Sequence, residues 1–185
     1  MRHFARLAAF LCSALLGACA RDTPWDRYNT AGGQAYEQGN YAEAEKQWSA
    51  ALPEAEKFGP QDPRLATSLN NLAALYRAQG KYAQAEPLYR RSLAIREKAL
   101  GPEHPDVAGS LNNLAALYRA QGKYAEAEPF YRRSLTIWEK ALGPEHPAVA
   151  QSLENYAALL RKMGREEEAA EMEARAKAIR DKQAQ

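Results

Sequence analysis

Two histidines, His104 and His146, each lie inside the same pentapeptide, Gly-Pro-Glu-His-Pro. An imidazole beside a carboxylate has the groups for metal ligation or proton transfer, so Glu103, His104, Glu145 and His146 are the candidates for that chemistry. The competing interpretation is that they shape a turn ahead of a helix. Their identical placement favours the turn, because a duplicated sequence duplicates its turn chemistry whatever the function. An earlier linker, Gly59-Pro60-Gln61-Asp62-Pro63, carries Asp62 where the others carry histidine, which weakens the metal reading further. A second set is better suited to binding. Asn70, Asn71, Asn112, Asn113 and Asn155 offer amides that both donate and accept, as the backbone of an extended peptide requires. Arg77, Arg119 and Arg161 present forks of donors that match carboxylates. The two thiols, Cys12 and Cys19, both fall in the first 19 residues, so the body has no disulfide framework or zinc ribbon. No Gly-x-Ser-x-Gly elbow, phosphate-cradling loop or His-Glu-x-x-His motif occurs, so no enzyme and no cofactor is expected.

The elements that position these residues are helices. Alanine makes up about a fifth of the 185 residues, whereas valine occurs only at Val107 and Val149 and isoleucine only at Ile95, Ile137 and Ile179. Alanine favours helix and β-branched residues favour strand, which predicts an all-α chain. Internal repetition then organises the helices. Leu69 to Tyr82 recurs unchanged at Leu111 to Tyr124, and Tyr89-Arg90-Arg91-Ser92-Leu93 recurs at Tyr131 to Leu135. A weaker copy begins at Leu153, and a degenerate one holds Tyr28, Gly32, Gly39, Tyr41, Ala44 and Trp48. Divergent ends suit a stacked array, whose terminal units face water on one side. Each unit reads as two helices. Leu69, Leu72, Ala73 and Tyr76 form one apolar face, and Gly80 ends that helix. The next runs from about Tyr82 to Leu100, with Pro87 and Pro129 each removing a backbone hydrogen bond, so a local bend is expected in the two middle units. Placed at helical intervals, Thr67, Asn70, Asn71, Ala74, Arg77 and Ala78 fall opposite the apolar face.

These offsets resemble the tetratricopeptide repeat, a helix-turn-helix module. Its small helix A residue matches Gly32, Ala73, Ala115 and Ala157. Its turn glycine matches Gly39, Gly80, Gly122 and Gly164, and its helix B alanine matches Ala44, Ala85, Ala127 and Ala169. The period of 42 residues is similar to the long-helix variant of kinesin light chains and many bacterial proteins. HEAT and armadillo arrays share such a period, but lack the Gly-x-Tyr-x-x-Ala turn. The resemblance covers residues 26–182, with units at about 26–62, 63–104, 105–146 and 147–182. It implies a right-handed superhelical solenoid of about four helix pairs, with helix A lining the concave surface. On that surface the resemblance places Asn70, Asn71, Arg77, Asn112, Asn113, Arg119, Asn155 and Arg161, facing a protein or peptide partner with an acidic or C-terminal carboxylate segment.

The first residues read as an address. Arg2, His3 and Arg6 precede the apolar run Leu7–Leu16 and the small residues Gly17–Ala20, the order of a secretory signal. Ten apolar residues are too few for a membrane-spanning helix, which needs about 20. Leu16-Gly17-Ala18-Cys19 resembles a bacterial lipobox, which implies a signal peptide over 1–18, acylation of Cys19 and a lipidated tether over 19–25. Ala18-Cys19-Ala20 also fits a small-x-small cleavage site, after which Cys19 would be lost. The lipobox is preferred, because a cysteine in this frame after a leucine-rich run has little other reason to be there. Several acyl chains together anchor stably, at ~0.8 kcal/mol per buried methylene. With Ala20 and Arg21 after the cysteine rather than aspartate, the resemblance points to the periplasmic face of the outer membrane.

Charge adds an exclusion. The chain has 25 Lys+Arg against 23 Asp+Glu, a net +2, without the basic excess of a nucleic-acid binder. Removing 1–18 takes away Arg2 and Arg6 and no acid, leaving a formally neutral body. The sequence therefore reads as an envelope adaptor, with assembly of an envelope machine as the setting to which other repeat lipoproteins point. A self-associating structural lipoprotein, or a ligand-binding module using the linker histidines, are the alternatives.

Overall fold

The computed structural model describes residues 22–184. The expected signal peptide and Cys19 lie outside the described residues. Among those described there are eight α-helices and no strand: α1 (Pro24–Glu37), α2 (Tyr41–Glu56), α3 (Pro63–Ala78), α4 (Tyr82–Leu100), α5 (Pro105–Ala120), α6 (Tyr124–Leu142), α7 (Pro147–Lys162) and α8 (Glu166–Gln183). No described helix is long and apolar enough to cross a membrane. The helices pack as consecutive antiparallel pairs, α1 with α2 through α7 with α8, and each pair stacks on the next through α2/α3, α4/α5 and α6/α7. The chain is an all-helical solenoid.

Local chemistry sets every boundary. The odd-numbered helices begin with proline at the first position, where the missing N–H costs nothing. Ahead of each proline a side chain caps the orphan amides: Thr23 with Asp26 as a capping box, then Asp62, His104 and His146. Each odd-numbered helix ends in the same Schellman turn. After α3, the Gly80 amide donates to the Arg77 carbonyl at 3.0 Å and the Lys81 amide to the Tyr76 carbonyl at 2.8 Å. Gly80 sits at φ +73°, a left-handed conformation that glycine adopts without a Cβ penalty.

Helices α4 and α6 run unbroken through Pro87 and Pro129, and α2 likewise carries Pro53, so internal proline is not confined to the middle pairs. All three prolines are exposed, as are Ser49, Ala83 and Ala125 four residues before them, so water can satisfy the carbonyls that lose a partner.

The buried arc of the inner odd-numbered helices is wider than the four-residue apolar face. In α3, Leu65, Ala66, Ser68 and Leu75 are buried together with Leu69, Leu72 and Ala73. Each such helix packs on its own pair partner and also on the preceding even-numbered helix, so two sides are covered. Burial of Ser92 and Ser134 is satisfied within the pair, their hydroxyls donating to the Ala66 and Ala108 carbonyls at 2.7 and 2.8 Å. The largest core cluster spans α3 to α8, while the first pair contributes two smaller clusters around Trp48 and Leu65.

Candidate peptide-binding face

The odd-numbered helices of successive pairs touch, α3 with α5 and α5 with α7, while no comparable packing joins α4 to α6. The odd row therefore lies on the inner side of the stack. Its uncovered stripe in α3 consists of Asn70, Asn71, Ala74, Arg77 and Ala78, all partly or fully exposed. The same stripe recurs in α5 as Asn112, Asn113, Ala116, Arg119 and Ala120.

The asparagines form one bond per junction, always of the same polarity. The Asn71 amide donates to Asn29 at 2.9 Å, Asn113 to Asn70 at 2.9 Å, and Asn155 to Asn112 at 3.2 Å. These side chains therefore hold adjacent repeats in register. They are not spent by doing so. Each pair retains one amide donor (on Asn29, Asn70 or Asn112) and one carbonyl acceptor (on Asn71, Asn113 or Asn155) without a side-chain partner among the described residues. Asn29 belongs to the row although the repeat motif does not single it out. The clue was its place 41 residues before Asn70, the same offset that relates Gly32 to Ala73. At the other end, Glu154 takes the acceptor position and is bound by Arg180 of α8 at 2.6 and 2.8 Å.

The three arginines are not equivalent. Arg161 is neutralised by Glu166 at 2.5 Å and Glu173 at 2.7 Å. The Glu173 hydrogen bonds, with the charges of both carboxylates, hold its guanidinium well above the usual range. Arg119 donates to the Asn155 carbonyl at 3.2 Å and makes no ion pair among the described residues. Arg77 also makes no ion pair there, and its Nε is buried without a partner. Beneath them lie Tyr89 and Tyr131, 1% and 0% exposed, whose hydroxyls have no hydrogen-bond partner among the described residues. Burial pushes both phenols up. The nearby charge of Arg77 opposes this at Tyr89, and Arg119 and then Arg77 oppose it at Tyr131. In the first pair the position of Arg77 is held by Tyr36, packed 5.5 Å from both Tyr41 and Trp48. The inner face thus grades from aromatic, through two uncompensated cations, to a neutralised end.

The linker histidines act as helix caps. His104 Nδ1 accepts from the Asp106 amide at 3.2 Å and His146 Nδ1 from the Ala148 amide at 3.1 Å, as Asp62 accepts from Arg64 at 2.9 Å. Glu103 is paired with Lys140 and Glu145 with Lys182 on the following even-numbered helices. No group of three or more His, Cys, Asp or Glu side chains comes together as a metal site among the described residues. On the even-numbered helices, Arg90, Arg91, Arg132 and Arg133 are exposed and paired with Glu86, Glu56, Glu128 and Glu97.

A family model described as tetratricopeptide repeat matches residues 28–98, 65–137 and 106–182. The chain belongs to the tetratricopeptide repeat family. Among solved structures it is similar to BtubC (BKLC) from P. vanneervenii, with a TM-score of 0.78 at 26% identity. That match covers 88% of this chain and 66% of BtubC, just under two thirds of its length. A putative kinesin light chain from Podosopora anserina, with nearly identical TPR-like repeats, matches in two crystal structures at 27% identity, over 86% of this chain and 76% of that one. A single-substitution form of that light chain gives a TM-score of 0.72 and the other structure 0.68. A search of curated proteins finds no match. Tetratricopeptide repeats mediate protein–protein interaction and scaffolding, and the fold is typically a non-enzymatic scaffold.

Proposed function

We propose that this tetratricopeptide protein is a lipid-anchored periplasmic adaptor that captures an extended, acidic segment of a partner protein on its inner face. The observation that carries the binding part is the contrast among the arginines. Arg77 and Arg119 face the groove without a carboxylate, beside asparagine pairs that keep one donor and one acceptor each, whereas Arg161 is occupied. A carboxylate on the partner supplies the missing counter-charge, and the asparagines meet its backbone. The anchoring part rests on Leu16-Gly17-Ala18-Cys19. The test is capture from envelope fractions after crosslinking, comparing wild type with Arg77→Ala/Arg119→Ala. Loss of the captured partner with helicity unchanged is expected, and undiminished capture rejects the groove. Cys19→Ser is expected to release the protein from membranes into the wash, and continued membrane retention rejects the anchor.

A further inference from the structure

The asparagine pairs are equivalent at all three junctions, in composition and in polarity. A ligand chain that runs along them must therefore offer the same pair of backbone groups, in the same orientation, once per repeat. Packed helices stand ~8–10 Å apart. Two residues of a β-strand advance only about 7 Å, and three advance about 10 Å but turn the chain over, since its faces alternate with period two. Three residues of polyproline II advance about 9 Å and complete one turn, bringing the same face back to the groove with every backbone group free of internal hydrogen bonds. Threefold symmetry therefore fits the ladder where twofold symmetry does not.

The arginines share this spacing. Arg77 and Arg119 occupy equivalent positions one repeat apart, so carboxylates that meet both must also lie three residues apart on such a ligand. Tyr89 and Tyr131, fully buried, lie beneath these two guanidinium groups.

We infer that the inner face recognises a polyproline II segment carrying an acidic residue at every third position over at least two turns. This inference rests on the groove reading above and specifies its ligand. Each ligand turn would place one backbone carbonyl against the amide of Asn70 or Asn112 and one N–H against the carbonyl of Asn113 or Asn155. Proline at one of the two remaining positions stiffens the segment without removing that N–H.

Synthetic thirteen-residue peptides carrying four glutamates each, and so of equal net charge, test this on the full chain by fluorescence anisotropy. One set repeats Glu-Pro-Ala; others space glutamate two or four residues apart, and another keeps the three-residue spacing with glycine in place of proline. The Glu-Pro-Ala repeat is expected to bind about tenfold or more tighter than the two- and four-spaced peptides, the size of one charge-assisted hydrogen bond. Arg77→Ala or Arg119→Ala should each reduce it to their level with circular dichroism unchanged. Glycine substitution should weaken binding through the lost preorganisation. Equal affinity across all spacings overturns the register inference while leaving the groove in place. Failure of every acidic peptide to bind overturns the groove reading as well.

Discussion

At the residue scale, position determines what a side chain does more than its identity does. His104 and His146 have the composition of a metal or proton-transfer pair, yet each spends Nδ1 as an acceptor at a helix N-terminus, where Asp62 does the same work one linker earlier. That equivalence gives a direct prediction. His146→Ala removes a cap and should cost about 1 kcal/mol in urea unfolding, within the ordinary range for N-cap loss. His146→Asp should hold wild-type stability or exceed it, because a carboxylate also suits the positive end of the helix dipole. If both variants lose equally, the side chain matters for packing and not as an acceptor. The duplicated Gly-Pro-Glu-His-Pro already pointed to turn chemistry in the sequence. The fates of Arg77, Arg119 and Arg161 were not legible there, because an equivalent repeat position conceals which arginine meets Glu166 and Glu173 after the last helix folds back. Gly32 shows a similar dependence on context. A Cβ at that position would lie 2.4 Å from the Trp48 ring, so Gly32→Ala must displace the indole. Overpacking of this kind typically costs about 1–3 kcal/mol. A changed Trp48 emission with a lowered midpoint is the expected signature, and an unchanged midpoint would show that the ring moves freely.

At the element scale, each pair is joined to the next by a shared polar clasp that the periodicity alone did not disclose. Tyr118 of α5 donates to Glu86 of α4 at 2.7 Å, and Tyr156 of α7 to Glu128 of α6 at 2.8 Å, with Arg90, Arg132 and Arg165 closing around the carboxylates. Tyr76 makes the longer version to Glu45 at 3.4 Å. The equivalent position in α8 is Ala170, which has no described tyrosine to meet. Helical periodicity placed Tyr76 on the core face, where it is half-buried; Tyr118, its equivalent in α5, is buried, and so is Tyr156, one turn earlier in α7. Their hydroxyl partners lie across a junction that no local pattern encodes. The Tyr118 hydrogen bond, followed by Arg90, holds the Glu86 carboxyl below the usual range. Arg165, followed by Tyr156, does the same for Glu128. Carboxylates with lowered values stabilise the fold above the unfolded value near ~4.3, and that contribution is lost as pH falls through the folded value. Stability should therefore decline below about pH 4.3, and Glu86→Gln/Glu128→Gln should lower it at neutral pH while flattening the acid limb. Parallel acid limbs in wild type and variant would remove the clasps from the pH response.

At the scale of the whole molecule, the array is uneven. A stacked solenoid is stabilised by its units and its nearest-neighbour interfaces, so a weak interface lets one end open alone. The continuous core runs from Ala73 in α3 to Ile179 in α8, whereas the first pair is held by smaller clusters that reach the second pair through Leu72, Leu75 and half-buried Leu52 and Leu88. Its first junction has the longest tyrosine–glutamate contact, and Trp25 reaches across it to the Ser68 hydroxyl at 2.8 Å. The other end is closed differently: α8 buries Ala169, Ala176 and Ile179, and its charged side chains, with Arg165 just ahead of it, bind Glu128, Glu139, Glu145, Glu154 and Arg161 of earlier elements. Opening should therefore begin at α1 and α2. Two of the three tryptophans, Trp25 and Trp48, lie in that pair, so in a Trp138→Phe background fluorescence reports it almost alone. The fluorescence midpoint in urea is expected to precede the circular dichroism midpoint, and amides of α1 and α2 should exchange faster than those of α5 and α6. Coincident midpoints would mean that the Asn29–Asn71 and Trp25–Ser68 bonds couple the first pair to the array as tightly as any other. If the first pair does open alone, the Asn29–Asn71 rung of the inner face exists only while it is closed. A ligand long enough to reach that rung should then raise the fluorescence midpoint, whereas one that spans only Arg77 and Arg119 should leave it in place.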